Sequence, residues 1–204
     1  MLQKSAVIIA GGFSRRFGSD KGLVILRDKP LVRHVIDNIS SAVDEILVVV
    51  SCEKQKKIFE PIVDQTAKII IDADESQSPL IGTITGFEVA KGEYSLLVPC
   101  DTPLISTKIV QFLFDISPTR KAVIPHWSSG CVEPLQAVYH TRSALEAAKA
   151  AIKQDRLDMR SMINNLNNIR YVSTKVLEQF EPELLSFFNV NTPQDLQKAQ
   201  SVLK

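Results

Sequence analysis

The chain has 204 residues, a length at which roughly 70% of the unfolded surface is buried on folding, so no metal or disulfide staple is needed. Apolar residues make up 45% and charged residues 23%, which excludes global disorder. Lys plus Arg number 24 against 23 Asp plus Glu, and a net charge of +1 argues against a protein built to coat nucleic acid or an anionic membrane.

No apolar run approaches the ~18 residues of a membrane span. The opening MLQKSAVIIAGG lacks the small-residue cleavage site of a signal peptide. Its apolar part, Ala6 to Ala10, is strand-length and predicts the first strand. Further strands are predicted at Glu45–Val50, Ala67–Ile71, Tyr94–Val98, Lys121–Ile124 and Leu135–Tyr139. Most are continuous apolar runs (ILVVV, KIII, SLLV), as in strands buried on both faces of a parallel sheet. Helical spacing appears between them. Leu31, Val32, Val35, Ile36 and Ile39 recur at three and four residues after Pro30, a good first-turn residue. Residues 80–90, 106–115 and 141–153 repeat the pattern, and Thr192-Pro193 with Asp195 reads as a capping box opening a last helix.

Strands alternating with helices predict right-handed βαβ units: an α/β fold, a three-layer α/β/α sandwich around a Rossmann-like, mostly parallel sheet. With no repeat or linker tract, one domain over 1–204 is expected. Residues 126–134 and 173–191 read as irregular, and both are candidate substrate loops. Cys52, Cys100 and Cys131 are odd in number and widely spaced, which predicts buried free thiols and a reducing, cytoplasmic setting.

AVIIAGGFSRRFGSDKGL, residues 6–23, carries the most chemistry. A buried strand runs into Gly11-Gly12, then a polar loop with Ser14, Arg15, Arg16, Gly18, Asp20 and Lys21. Glycines let backbone N–H groups approach a phosphate or base, and Arg and Lys neutralise phosphate charge. Neither the Walker A spacing nor G-x-G-x-x-G is present. A bare Gly-Gly would equally suit a solvated βα turn. In SLLVPCDTPLIS, Asp101 follows a buried strand between Pro99 and Pro103. That places a carboxylate to hold Mg²⁺ against phosphate oxygens, although an Asp between prolines is also a common turn residue. Asp72 ends KIIID, with a ligand role or a helix N-terminal role open to it.

The loop resembles the signature L-A-G-G-x-S-x-R-M-G-x-D-K of nucleotidyltransferases with a Rossmann-like sheet, with Ile9 for Leu and Phe17 for Met. Pro99-Cys100-Asp101-Thr102-Pro103 matches the metal-binding P-C-D-x-P of that superfamily. Ser78-Pro79-Leu80-Ile81-Gly82 stands where its members read G-P-L-A-G, and Ser51 where guanylyl enzymes carry Asn. Glu133-Pro134-Leu135-Gln136-Ala137-Val138-Tyr139 is similar to the E-P-L-x-A-x-Y strand of the molybdenum cofactor guanylyltransferases. Arg156 and Arg160 resemble that family's basic helix, and Asn189-Val190-Asn191-Thr192-Pro193 its N-x-N-T-P ending.

The resemblance implies transfer of GMP from GTP to the phosphate of molybdopterin, with Mg²⁺ at Asp101 and catalytic roles for Arg16, Lys21 and Asp101. It implies nucleotide contacts by Ile9, Ala10, Gly11, Gly12, Ser14, Gly18, Lys21, Ser51, Asp72 and Asp101. Acceptor contacts fall to Glu133, Arg156, Arg160, Asn189 and Asn191. Neither nucleic acid nor membrane is a partner under this reading, and transient contact with molybdoenzymes or other cofactor-biosynthesis proteins stays open. Each acceptor residue has a plain structural alternative: an edge acid, a solvated arginine pair on one helix face, turn asparagines. Because serine reaches less far than asparagine, CTP stays open beside GTP, as do sugar phosphate or phospholactate acceptors and a non-catalytic GTP-binding adaptor. Of the three histidines, His34 is placed on the polar side of the first helix and His126 and His140 at strand ends. Trp127 is expected to be partly buried.

Overall fold

The computed structural model describes residues 3–203 apart from 12, 15–18 and 73–77, with the backbone alone at 13, 14 and 19. From the amino terminus, β1 (Lys4–Ile9) leads to a small ladder of β2 (Phe13–Ser14) with β3 (Ser19–Asp20) and a 3-10 turn at Lys21–Leu23. A second ladder pairs β4 (Ile25–Leu26) with β5 (Lys29–Pro30). Then come α1 (Leu31–Ile39), β6 (Glu45–Val50), α2 (Glu53–Val63), β7 (Lys68–Ile71), α3 (Pro79–Val89), β8 (Tyr94–Pro99) and α4 (Thr107–Asp115). The chain continues through β9 (Ala122–His126), β10 (Ala137–His140), α5 (Thr141–Lys153), α6 (Met159–Asn164), β11 (Ile169–Ser173), α7 (Thr174–Leu177) and α8 (Pro193–Val202).

Seven strands form one sheet in the order β11-β9-β10-β8-β1-β6-β7, parallel except for β10. Alternate residues of β1 face opposite layers, as strand geometry requires. Ala6 and Ile8 pack with Val32 and Ile36 of α1, Phe59 of α2 and Val110 of α4. Val7 packs with Leu80 and Phe87 of α3 and Ala147 of α5. Helices therefore cover both faces, and the predicted sandwich with its mostly parallel sheet is the fold observed. Gly86 lets α3 settle on β1, since a Cβ there would run into the Val7 side chain. A third apolar cluster, with Leu26, Leu31, Leu104, Val190 and Ala199, seats α8 against the β4–β5 ladder.

Several expectations need adjusting. α1 begins at Leu31 with Pro30 as its N-cap, because Pro30 is still paired in β5. The strand expected at Leu135–Tyr139 starts at Ala137, since Glu133–Gln136 forms a turn closed by the Gln136 N–H to the Glu133 carbonyl. α2, α6 and β11 were not among the predicted elements, and residues 173–191 contain α7 and a 3-10 turn at Leu185–Phe187. Cys100 is buried as a free thiol, but Cys52 and Cys131 are exposed: Cys52 sits at the start of α2 and Cys131 in the β9–β10 connection. Among the described residues, no helix is long and apolar enough to cross a membrane.

Candidate functional site

From β1 the chain moves outward to β6 and β7, then returns to β8 on the other flank of β1. The β1/β8 boundary is thus a switch point, where the carboxyl edge of an open α/β sheet leaves a crevice. Four adjacent strands deliver polar residues to that edge. Gly11 follows β1, Ser51 follows β6, Asp72 follows β7 and Asp101 follows β8.

Lys21 and Asp101 meet across this boundary. The Lys21 Nζ donates to Asp101 Oδ2 at 2.9 Å and to Asn191 Oδ1 at 2.5 Å. Lys21 lies on the 3-10 turn, whose next residue, Gly22, is buried against Phe59 and Cys100. A Cβ at Gly22 would sit 2.9 Å from the Phe59 ring and 3.4 Å from Cys100 Sγ, so only glycine lets the turn come this close to the core. Asp101 is only 8% exposed. Its backbone is held from two sides: the neighbouring Cys100 N–H donates to the Ile9 carbonyl, and the Asp101 carbonyl accepts from Val190 N–H at 2.8 Å. That second bond brings the segment Asn189–Asn191 into the site.

The capping box at the start of α8 fixes Asn191. Asp195 accepts from the N–H groups of Asn191 and Thr192 at 3.1 and 2.9 Å, while its own N–H donates to Thr192 Oγ1 at 3.1 Å. These bonds, with that from the Thr192 hydroxyl first, hold the Asp195 carboxyl below its ordinary range. The predicted cap is present, and it also serves to place a site residue.

Burial differs along the glycine-rich arm. Ala10 is buried and Gly11 partly so; the Ser51 hydroxyl donates to the Gly11 carbonyl at 2.6 Å. Gln55, 5% exposed on α2, accepts from Ser51 N–H at 2.6 Å and donates to the Ala10 carbonyl at 3.0 Å. Burial pushes the Asp20 carboxyl upward, while a hydrogen bond from Gln55 and the charge of Lys54 pull it back. Asp72 accepts from Thr85 Oγ1 at 2.7 Å, and its N–H donates to the Val50 carbonyl. Gly82 brings α3 close to both partners here: a Cβ would lie 3.3 Å from Ile9 and 3.5 Å from Asp72. Gly12, Arg16 and Gly18 lie outside the described residues, as does the Ser14 side chain.

On the other side of Asp101 a cleft of about 200 Å³ is lined by Asp101, Glu133, Gln136, Asn189 and Asn191, with Pro99 and Pro134 at its walls. Trp127, partly buried as expected and edge-on to Phe187, donates its indole N–H to Glu133 at 2.5 Å. Gln136 is buried and donates to the Ser186 carbonyl at 2.6 Å, clipping the β9–β10 connection to the segment before α8. A larger hollow of about 450 Å³ opens at the opposite sheet edge beside Lys4, Asp44 and Tyr94, remote from these groups.

The arginine pair is corrected. Arg156 and Arg160 do not share a helix face: α5 ends at Lys153, Asp155 has φ +56°, and Asp158 caps a new helix, α6, through Ser161 N–H. Arg156 therefore lies in the connection and Arg160 in the first turn of α6, both exposed. Ser78, which caps α3, also donates to the Leu157 carbonyl at 2.6 Å and so ties this connection to the start of α3. His34 is half-buried, with Nε2 3.0 Å from the Leu26 carbonyl, and His126 and His140 close β9 and β10. Gln55 and Gln136 are the site residues that the motifs did not single out for a role, and Asp195 was expected only as a helix cap. Gln55 was detectable as the polar member of the otherwise apolar buried set Gln55, Phe59 and Val63 on α2.

Among the described residues, no three His, Cys, Asp or Glu side chains cluster to hold a metal by themselves. Asp101 stands as a single carboxylate beside a cation. That donor set fits Mg²⁺, which is commonly held by one or two carboxylates together with phosphate oxygens of a substrate.

A family model of the MobA-like NTP transferase domain matches residues 6–169. The molybdenum cofactor guanylyltransferase of Desulfosudis oleivorans is 30% identical over 202 residues, covering 98% of this chain and 96% of its own. The crystal structure of molybdopterin-guanine dinucleotide biosynthesis protein A from Archaeoglobus fulgidus superposes with a TM-score of 0.82 at 26% identity, over 97% of each chain. The 4-diphosphocytidyl-2C-methyl-D-erythritol synthase of Anaerococcus prevotii is similar in fold alone, with a TM-score of 0.73 at 14% identity over 99% of this chain and 96% of that one. The chain belongs to the MobA-like NTP transferase family, among the molybdenum cofactor guanylyltransferases, and is a nucleotidyltransferase.

Proposed function

We propose that the protein transfers GMP from GTP to the terminal phosphate of molybdopterin or molybdenum cofactor and releases pyrophosphate. The observation that carries this reading is the Lys21–Asp101 pair at 2.9 Å, set between the glycine-rich arm and the cleft of Glu133, Asn189 and Asn191. A phosphate oxygen of the acceptor attacks the α-phosphorus in line. The new P–O bond forms as the bond to the α,β-bridging oxygen breaks, and the electron pair leaves with pyrophosphate. The nucleophile is already ionised near neutral pH, so no protein base is required; the chain supplies position and charge.

Lys21 and Arg16 face the departing pyrophosphate in this reading. The backbone of Ile9 to Gly12, with Ser14, Gly18, Ser51 and Asp72, holds the nucleoside and its phosphates. Glu133, Asn189 and Asn191 orient the pterin, while Arg156 and Arg160 meet its phosphate. Mg²⁺ would be held by Asp101 with substrate oxygens and would supply charge neutralisation on the phosphates. With Asp101 engaged by the metal, Lys21 would be free to meet phosphate charge.

A cytidylyl version is kept as a second reading because of Ser51, whose single hydroxyl proton is already given to the Gly11 carbonyl. Pyrophosphate release decides, measured with GTP, CTP and ATP in parallel against molybdopterin and a sugar phosphate, with and without Mg²⁺. Release with GTP and molybdopterin alone supports the main reading. Release with CTP moves the base assignment, and release only with a sugar phosphate overturns the acceptor.

A further inference from the structure

We infer that Gln55 is a positioning residue of the nucleotide site, holding the glycine-rich arm in register with the end of β6. The inference rests on the nucleotidyl-transfer reading and assigns a role to a residue outside the loop itself.

Two observations carry it. First, Gln55 occupies a buried position in the apolar stripe of α2, one and two turns before Phe59 and Val63. An apolar side chain would satisfy that stripe, and a buried amide is costly unless its polar atoms are paired. Second, the pairing is directional. Ser51 N–H can only donate and the Ala10 carbonyl can only accept, so the amide orientation is fixed, with Oε1 on Ser51 at 2.6 Å and Nε2 on Ala10 at 3.0 Å.

One amide thus joins the Ala10–Gly11 arm, where it leaves β1, to Ser51 at the end of β6. Ser51 completes the brace through its hydroxyl on the Gly11 carbonyl at 2.6 Å. Small glycine-rich loops gain little from packing, so a backbone path that must meet a nucleotide has to be held from outside. The cleft at Glu133 and Asn189 is on the other side of Asp101 and does not touch Gln55.

The test is Gln55→Met, which keeps the side-chain length and apolar packing but loses both bonds. GTP affinity is measured directly by calorimetry. KM for GTP, KM for molybdopterin and kcat come from pyrophosphate release, and a thermal melt shows that the variant is folded. Leaving the Ala10 carbonyl and Ser51 N–H unpaired is expected to weaken GTP binding by about tenfold or more, with KM for molybdopterin near wild type. Unchanged GTP affinity in the folded variant overturns the inference. So does a parallel loss in both KM values and kcat that simply follows a lowered melting temperature, since that marks a structural residue. Should Gln55→Met not fold, Gln55→Asn, whose amide falls one methylene short, is judged by the same criterion. Wild-type protein that binds no GTP defeats the nucleotide reading itself, and the inference with it.

Discussion

Lys21 meets Asp101 at 2.9 Å, and on the outer face of α1 Lys29 meets Asp37 at the same distance. The surroundings separate the two pairs. Around Asp37 and Asp64 the charges form a closed surface patch. Arg33 donates to both carboxylates, at 2.8 and 2.6 Å, and Thr66 supplies two further hydrogen bonds to Asp64. Every group there has a local partner. Lys21 and Asp101 have side chains 27% and 12% exposed, against 47% and 32% for Lys29 and Asp37, sit on the switch point of the sheet and border an open cleft. Desolvation strengthens the interaction of such groups with an incoming charge, whereas surface pairs are screened. An ion pair is informative about chemistry when its neighbours leave room for a third party.

The sharpest way to break this contrast is to delete one partner from each cluster. Lys21→Ala or Asp101→Ala is expected to lower turnover by about 10²–10³-fold or more, the usual consequence of removing a charge-stabilising group at a reacting phosphate. Steady-state pyrophosphate release checks this, and a melt close to wild type shows that the loss is chemical. Arg33→Ala should leave turnover where it was; an equal loss there would erase the distinction. Next in size is Gly22→Ala. Its Cβ would press on Phe59 and Cys100, an overpacking expected to cost about 1–3 kcal/mol in a denaturant melt and to move Lys21 off Asp101. A stable, fully active Gly22→Ala would show that the turn has slack.

The two clusters also differ in how far the sequence reveals them. The glycine-rich arm and Asp101 each follow a buried apolar run, so strand, loop and polar residue are read together from contiguous letters. The parallel sheet is legible for the same reason, since VIIA, ILVVV, KIII and SLLV have few other places to go. The contact of Lys21 with Asn191 spans most of the chain and depends on the Asp101–Val190 backbone bond, which no local pattern encodes. Arg156 and Arg160 misled because four-residue spacing mimics a helix face, while the left-handed Asp155 ends α5 before Arg156 and the Asp158 cap starts a new helix before Arg160. β11 was missed because its pattern is only partly buried, being an edge strand. Gln55 is visible as a misfit in an apolar stripe, but its partners appear only once β1 and β6 are side by side.

Thr192→Ala probes the link between the lysine cluster and α8. Loss of an N-cap hydroxyl costs typically about 1 kcal/mol. Here the box also orients Asn191 through Asp195. A lowered denaturation midpoint should therefore come with a raised KM for molybdopterin, whereas Thr192→Ser restores both. A midpoint shift with no change in KM would detach the cap from the site.

The smallest effect is expected on the outer face of α1, and pH exposes it best. Hydrogen bonds from Thr66 and then Arg33 hold the Asp64 carboxyl at about 2, below its ordinary 3.8. A depressed carboxyl stabilises the folded state above its unfolded value, and that contribution fades as pH falls from about 3.8 toward about 2. Asp64 is exposed, so screening keeps the effect small. Melts of wild type and Asp64→Asn compared between pH 7 and pH 2 should differ slightly at neutral pH and converge at the acid end, with turnover at pH 7 unchanged in the variant. Convergence would show that the outer cluster serves stability alone. A variant that instead loses turnover at neutral pH would mean that the charges on α1 are felt at Lys21, and the two clusters would have to be treated as one.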